Sequence, residues 1–168
     1  ANEKLKSFSV KDILEKFKVD TIGTTDDPID SLEFHKMIKD GNAKIGNINT
    51  KVIPSFRPDK AINIESVEFV DYIKKLSIAS DINIKDITSL IEALYKRIDY
   101  FISLGCVSSD HALEYCPFIL DSEENIDKIL KKSLLGNKLT VEEIEKYKTY
   151  ILMKLAKKYK EKNISMQI

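Results

Sequence analysis

The stretch DTIGTTDDPIDSLEFHKMIKDG, residues 20–41, changes character halfway along. Residues 20–25 are few and rich in β-branched side chains, which suit a pleated, half-buried strand. Asp27 then stands where a helix cap belongs, and Pro28 carries the fixed φ of a first helical turn. Ile29, Leu32, Phe34, Met37 and Ile38 follow as an apolar stripe that Gly41 ends. A strand that hands over to a helix is one step of an α/β fold.

Outward from this step the pattern recurs. TKVIPSF (50–56) is a second strand candidate, with Pro54 near its end or at an edge because proline cannot donate to a ladder. CVSS, inside GCVSSDHALEYC (105–116), is a third, and a new helix, HALEY, is expected after it. Residues 65–80 carry Val67, Val70, Ile73 and Leu76 in helical phase, and residues 83–105 carry Ile84, Ile87, Leu90, Ile91, Leu94, Ile98 and Ile102. Before the first strand, Ser9 is placed to cap a helix over 8–19 with Val10, Ile13, Leu14 and Phe17 as its apolar positions. After the third, two helices are separated at Gly136 and Asn137, the second opened by a capping box at Thr140. The expectation is a helix-rich α/β fold with parallel strands near 20–25, 50–57 and 105–110, adjacent in that order. Three strands do not close a barrel, and parallel sheets need neighbours and cover, so the chain reads as a piece of a larger sheet or barrel.

Composition narrows the function classes. The 168 residues carry 27 Lys plus Arg and 27 Asp plus Glu, so no net charge draws the chain to nucleic acid or an anionic membrane. No apolar run reaches the roughly 18–20 residues of a membrane span, and no leader opens the sequence; a cytoplasmic protein is expected. Cys106 and Cys116 do not form a CxxC pair, and the two histidines, His35 and His111, form no HxH or HExxH, so no metal site is expected from these residues alone. GxGxxG, P-loop and GxSxG motifs are also missing from the sequence.

Chemistry is expected at the strand ends, since parallel α/β folds gather it at the carboxyl ends of their strands. The first strand ends in Thr24, Thr25, Asp26 and Asp27, the second in Ser55, Arg57 and Asp59, and the third in Ser108, Ser109, Asp110 and His111. Each has a plain structural alternative. Asp27 and Asp110 suit helix caps, Arg57 suits a solvated surface, and Asp59 suits a pair with Lys60 or a turn. His35, beside Phe34 in a helical stripe, reads as surface or packing.

Three ordered segments carry this further: IGTTDDPIDSLEFH (22–35), VIPSFRPDKAINIE (52–65) and LYKRIDYFISLGCVSSDHALE (94–114). Together they resemble bacterial uronate (glucuronate) isomerases of the amidohydrolase superfamily. The resemblance implies a distorted (β/α)8 TIM-type barrel with a helical insertion. On this chain that gives barrel βα units over 1–61, the insertion over 62–104, and a barrel strand followed by helices over 105–168. The implied activity is aldose–ketose isomerisation of D-glucuronate to D-fructuronate and of D-galacturonate to D-tagaturonate. Asp110 is the implied catalytic residue and Arg57 the substrate-binding one, with Asp26, Asp27 and His111 as further rim candidates. The family's early HxH motif, a later His-containing segment and a late aspartate are not in this sequence. The chain therefore resembles the middle portion of such an enzyme, expected to be inactive alone. A divalent metal, zinc, would belong to the full-length enzyme, and none is expected here. The implied partner is a hexuronic acid, with homo-oligomerisation left open. The competing readings are a metal-dependent hydrolase of the same superfamily and a non-catalytic helical interaction module.

Overall fold

Alternating polar and apolar residues on short strands demand a helical layer on one side of a sheet, and that is the arrangement found. A computed structural model describes residues 8–41 and 49–168. In chain order these form α1 (Val10–Lys16), β1 (Thr21–Asp26), α2 (Glu33–Lys39), β2 (Lys51–Phe56), α3 (Asp59–Ile62), α4 (Phe69–Ser80), α5 (Ile87–Ser103), β3 (Ser108–Asp110), α6 (Glu123–Leu134), α7 (Val141–Lys162) and β4 (Ser165–Gln167). The strands make one parallel sheet in the order β1-β2-β3-β4. The three expected strands are present, parallel and adjacent in the expected order.

The covered face of the sheet is built from alternate residues. Phe56 is fully buried at the end of β2, with its ring edge-on to Phe101 of α5 (5.1 Å between centroids) and Tyr159 of α7 (6.3 Å). Burying a side chain of that size contributes on the order of 1.5–3 kcal/mol. Leu90, Leu94 and Ile98 of α5, Ile126 and Leu130 of α6, and Ile151 and Leu155 of α7 continue the same core. Tyr147 is fully buried and donates its hydroxyl proton to the Ala61 carbonyl at 2.8 Å, so its polar end is satisfied.

Capping follows local rules where the sequence supplies them. Ser9 and Asp12 form a capping box on α1, Asp86 and Ser89 form one on α5, and Thr140 and Glu143 form one on α7. Gly105 turns the chain from α5 into β3 at φ +98°, a conformation that L side chains rarely adopt.

Four expectations change. The helix over 27–41 begins only at Glu33, so Asp27 and Pro28 lie in a turn rather than a first helical turn. The cause is tertiary. The Asp27 carboxylate accepts from Tyr72 Oη at 2.7 Å, and the buried Arg97 guanidinium donates to the carbonyls of Pro28 (2.5 Å) and Asp30 (2.7 Å), fixing this turn as a loop. No helix follows β3: HALEY is irregular. Pro117 disfavours helical backbone at Cys116, leaving a stretch too short to nucleate. Val67 is 99% exposed because α4 starts after it, at Phe69. The apolar positions of α1 contain no buried residue, with Val10 and Phe17 exposed. A fourth strand, β4, was not expected.

Candidate active site

Register decides which residues meet. Phe56 of β2 pairs with Ser109 of β3, both on the covered face. Side chains alternate along a strand, so the flanking residues Ser55 with Ser108, and Arg57 with Asp110, turn to the opposite face, where Ser55 is still buried and Arg57 and Asp110 reach solvent. The Ser55 and Ser108 hydroxyl oxygens lie 3.1 Å apart. One step further, Arg57 Nη1 lies 3.4 Å from Asp110 Oδ2, with the two side chains 38% and 34% exposed. The Arg57 backbone is held in place by its own N–H, which donates to the Asp26 carbonyl at 2.9 Å.

Asp59 completes this cluster. Its Oδ2 accepts from Arg57 Nε at 2.7 Å, and its Oδ1 accepts from the Ala112 backbone N–H at 3.1 Å. The hydrogen bond to Asp59 raises the Arg57 pKa above the usual guanidinium value, so Arg57 is a permanent cation. Asp110, by contrast, has only the longer contact to Arg57 among the described residues. The arrangement therefore offers a fixed cation beside a lightly held, solvent-accessible carboxylate. A fixed guanidinium is suited to pairing with an oxyanion, and an accessible carboxylate to exchanging a proton.

The other rim candidates lie elsewhere. Asp26 turns to the helical side of β1, where Thr24 Oγ1 lies 2.6 Å from Asp26 Oδ2 and 2.7 Å from His35 Nε2. His35 Nε2 is 3.8 Å from Asp26 Oδ2. Asp27 accepts from Tyr72 and pairs with Lys60 at 3.2 Å. His111 is 3% exposed, with Nε2 3.2 Å from Ser109 Oγ and its ring against Tyr159. Burial pushes the His111 pKa below that of a free imidazole, which keeps the ring neutral. The structure thus brings the Arg57 and Asp110 side chains together, while the side chains of Asp26, Asp27 and His111 make their hydrogen bonds elsewhere.

A family model for glucuronate isomerase matches residues 1–168, the whole chain. The chain belongs to the glucuronate isomerase family. It is 68% identical over 168 residues to the uronate isomerase of Brachyspira hyodysenteriae, covering all of this chain and 36% of that protein. It is 45% identical to that of Caldanaerobacter subterraneus, again covering 36% of the relative. Among solved structures, the Thermotoga maritima uronate isomerase superimposes with a TM-score of 0.88 at 30% identity, over 98% of this chain and 35% of that one. The Caulobacter crescentus glucuronate isomerase gives 0.85 at 25% identity, over 96% and 33%. The chain spans about a third of the length of the family members it matches. Its sheet and helical layer are a sector of their TIM-type barrel.

Asp59 is legible in the sequence as a strand-end polar residue but is not among the site residues that the resemblance implies. Its signal was present as the i, i+2 spacing of Arg57 and Asp59, which puts both side chains near one strand end. Its second bond, to Ala112, joins residues far apart in sequence and left no local trace. His35, whose helical stripe suggests surface or packing, lies in a polar cluster with Thr24 and Asp26. Among the described residues no three His, Cys, Asp or Glu side chains are grouped to hold a metal ion. Among the same residues no helix is long and apolar enough to cross a membrane.

Proposed function

We propose that this chain forms one sector of the active site of a uronate isomerase, which interconverts D-glucuronate with D-fructuronate and D-galacturonate with D-tagaturonate. The observation that carries the reading is the placement of Arg57 and Asp110 side by side on the open face, at the carboxyl ends of neighbouring parallel strands. Family membership over the whole chain supports the choice of an isomerase over a hydrolase on the same scaffold, since fold alone does not select a reaction.

The chemistry requires little else of this sector. In the aldose-to-ketose direction a base removes the proton from C2, the electron pair forms the C1–C2 double bond of an enediol(ate), and O1 takes the carbonyl electrons and a proton. A proton is then delivered to C1 while O2 loses its proton and becomes the ketone carbonyl. The Asp110 carboxylate is the proton acceptor and donor, or orients the hydroxyl that exchanges, within reach of these carbons. Arg57 pairs with the substrate carboxylate or with the enediolate oxygen, where its planar fork offers two parallel donors. Zinc, where it takes part, draws its ligands from outside this stretch, and no step here is routed through it.

The test is steady-state kinetics of Arg57→Lys and Asp110→Asn in the full-length protein, with circular dichroism to establish folding. Each is expected to lose at least about 10²-fold in kcat/KM, the usual scale for one positioned acid–base or oxyanion-binding group. Near-wild-type activity in a folded variant removes that residue from the site. The isolated 168-residue chain is expected to show no turnover of D-glucuronate; measured turnover above a heat-inactivated control would sink that expectation.

A further inference from the structure

We propose that Asp59 is the positioning residue of this site: its two carboxylate oxygens hold Arg57 and the loop after β3, and so set the gap between Arg57 and Asp110. The inference rests on the isomerase reading above and deepens it. Asp59 lies in the first turn of α3 with its side chain 18% exposed. It spends one oxygen on Arg57 Nε and the other on the Ala112 N–H, two residues beyond Asp110. One side chain thereby ties the loop leaving β2 to the loop leaving β3.

The consequence for the site is chemical. An arginine beside an aspartate closes into a two-bond pair when nothing prevents it. Here Nε is already engaged by Asp59, and Nη1 stands 3.4 Å from Asp110 Oδ2, longer than a charge-assisted hydrogen bond. Asp59 thus keeps Arg57 from locking onto Asp110. The terminal guanidinium nitrogens stay available to an anionic substrate, and the Asp110 carboxylate stays available to a proton. With Asp59 neutralised, Arg57 turns onto Asp110, and each silences the other.

The experiment is a double-mutant cycle in the full-length protein: Asp59→Asn, Arg57→Lys and the double variant, assayed for kcat and KM with D-glucuronate and melted thermally. Asp59→Asn is expected to lose roughly 10- to 100-fold in kcat/KM, with kcat falling and KM rising together, the scale of a hydrogen bond to a charged group. The double variant is expected to match Arg57→Lys within about threefold, because a residue that acts through Arg57 has nothing left to position. A residue that merely stabilises the fold would instead lower the melting temperature and leave kcat and KM in place. If Asp59→Asn fails to fold, Asp59→Glu carries the same cycle: it keeps the charge and displaces it from the Ala112 N–H. A damaging Arg57→Lys beside a silent or multiplicative Asp59 variant overturns this inference alone. A silent Arg57→Lys overturns the site reading and this inference with it.

Discussion

Phe56 and Arg57 are neighbours in sequence and strangers in space. Phe56 is fully buried between α5 and α7, whereas Arg57, the first residue past the strand, stands 38% exposed on the opposite side. Ser109 and Asp110 repeat the division on β3, one fully buried and one open. The covered face follows the rules of a core, with large rings and aliphatic side chains packed from the helices. The open face carries small hydroxyl residues low on the sheet and charges at its carboxyl end. The period-2 alternation of a strand thus gives one strand a packed face and a polar face, provided the register never slips.

That division is broken most directly on its covered side. Phe56→Ala is expected to cost about 3–5 kcal/mol of stability, the range for removing a buried aromatic ring and leaving a cavity. It should show as a lower urea midpoint. Catalytic loss in this variant should track the unfolded fraction. The complementary change, Arg57→Lys, is expected to leave the melting midpoint nearly unmoved while activity falls about 10²-fold, equivalent to roughly 2.7 kcal/mol of transition-state stabilisation. A large stability loss in Arg57→Lys would show that the two faces are not independent.

A smaller effect tests the helical layer behind the sheet. Arg97 is 8% exposed and donates to three carbonyls, those of Pro28, Asp30 and Ala79, while its guanidinium stacks 4.4 Å from the Tyr100 ring centroid. Burial lowers its pKa, but its donors are well placed. Arg97→Met keeps the apolar contact and strands the carbonyls, for an expected loss of about 2 kcal/mol. Activity should fall far less than in Arg57→Lys, because Arg97 braces the β1–α2 loop and not the Arg57–Asp110 pair.

The sequence showed the alternating pattern more clearly than its partners. β1 and β2 were legible from β-branched residues and β3 from its polar strand end after Gly105, and the cap at Ser9 and the capping box at Thr140 are local signals too. β4 was hidden because Ser165, Met166 and Gln167 follow the long helix α7 with no glycine turn or polar strand end, and they form a strand by pairing with β3. The late start of α2 was hidden for the same reason: Asp27 looks like a cap until Tyr72, 45 positions away, takes its carboxylate. Arg57 and Asp110 were visible as strand-end residues. Their contact, and the exclusion of Asp26, Asp27 and His111 from it, depended on which face each side chain takes in the finished sheet. The capping reading of Asp110 lost to the same kind of long-range contact, since the Ala112 N–H is bound by Asp59.

The mildest test concerns His111, one residue from Asp110 and on the other face. Its ring is buried against Ser109 and Tyr159, and burial depresses its pKa below the ordinary 6.5. Asp59 and Asp110 oppose that shift and Arg57 adds to it, but desolvation dominates. In the unfolded chain the imidazole binds a proton as pH falls through about 6.5, while in the folded protein it stays neutral until lower pH. The unfolded state therefore holds more protons in that window, and stability must fall as pH falls. Above pH 7 His111 contributes no such dependence. One proton limits the slope to about 1.4 kcal/mol per pH unit. His111→Phe removes the titration and keeps a ring against Tyr159. Urea midpoints of both proteins from pH 8 to pH 5 are expected to run parallel at the alkaline end and to converge or cross as pH drops, the wild type losing ground faster. Curves that stay parallel down to pH 5 would mean that His111 meets solvent in the folded state, and the separation of the two faces would then fail at this residue.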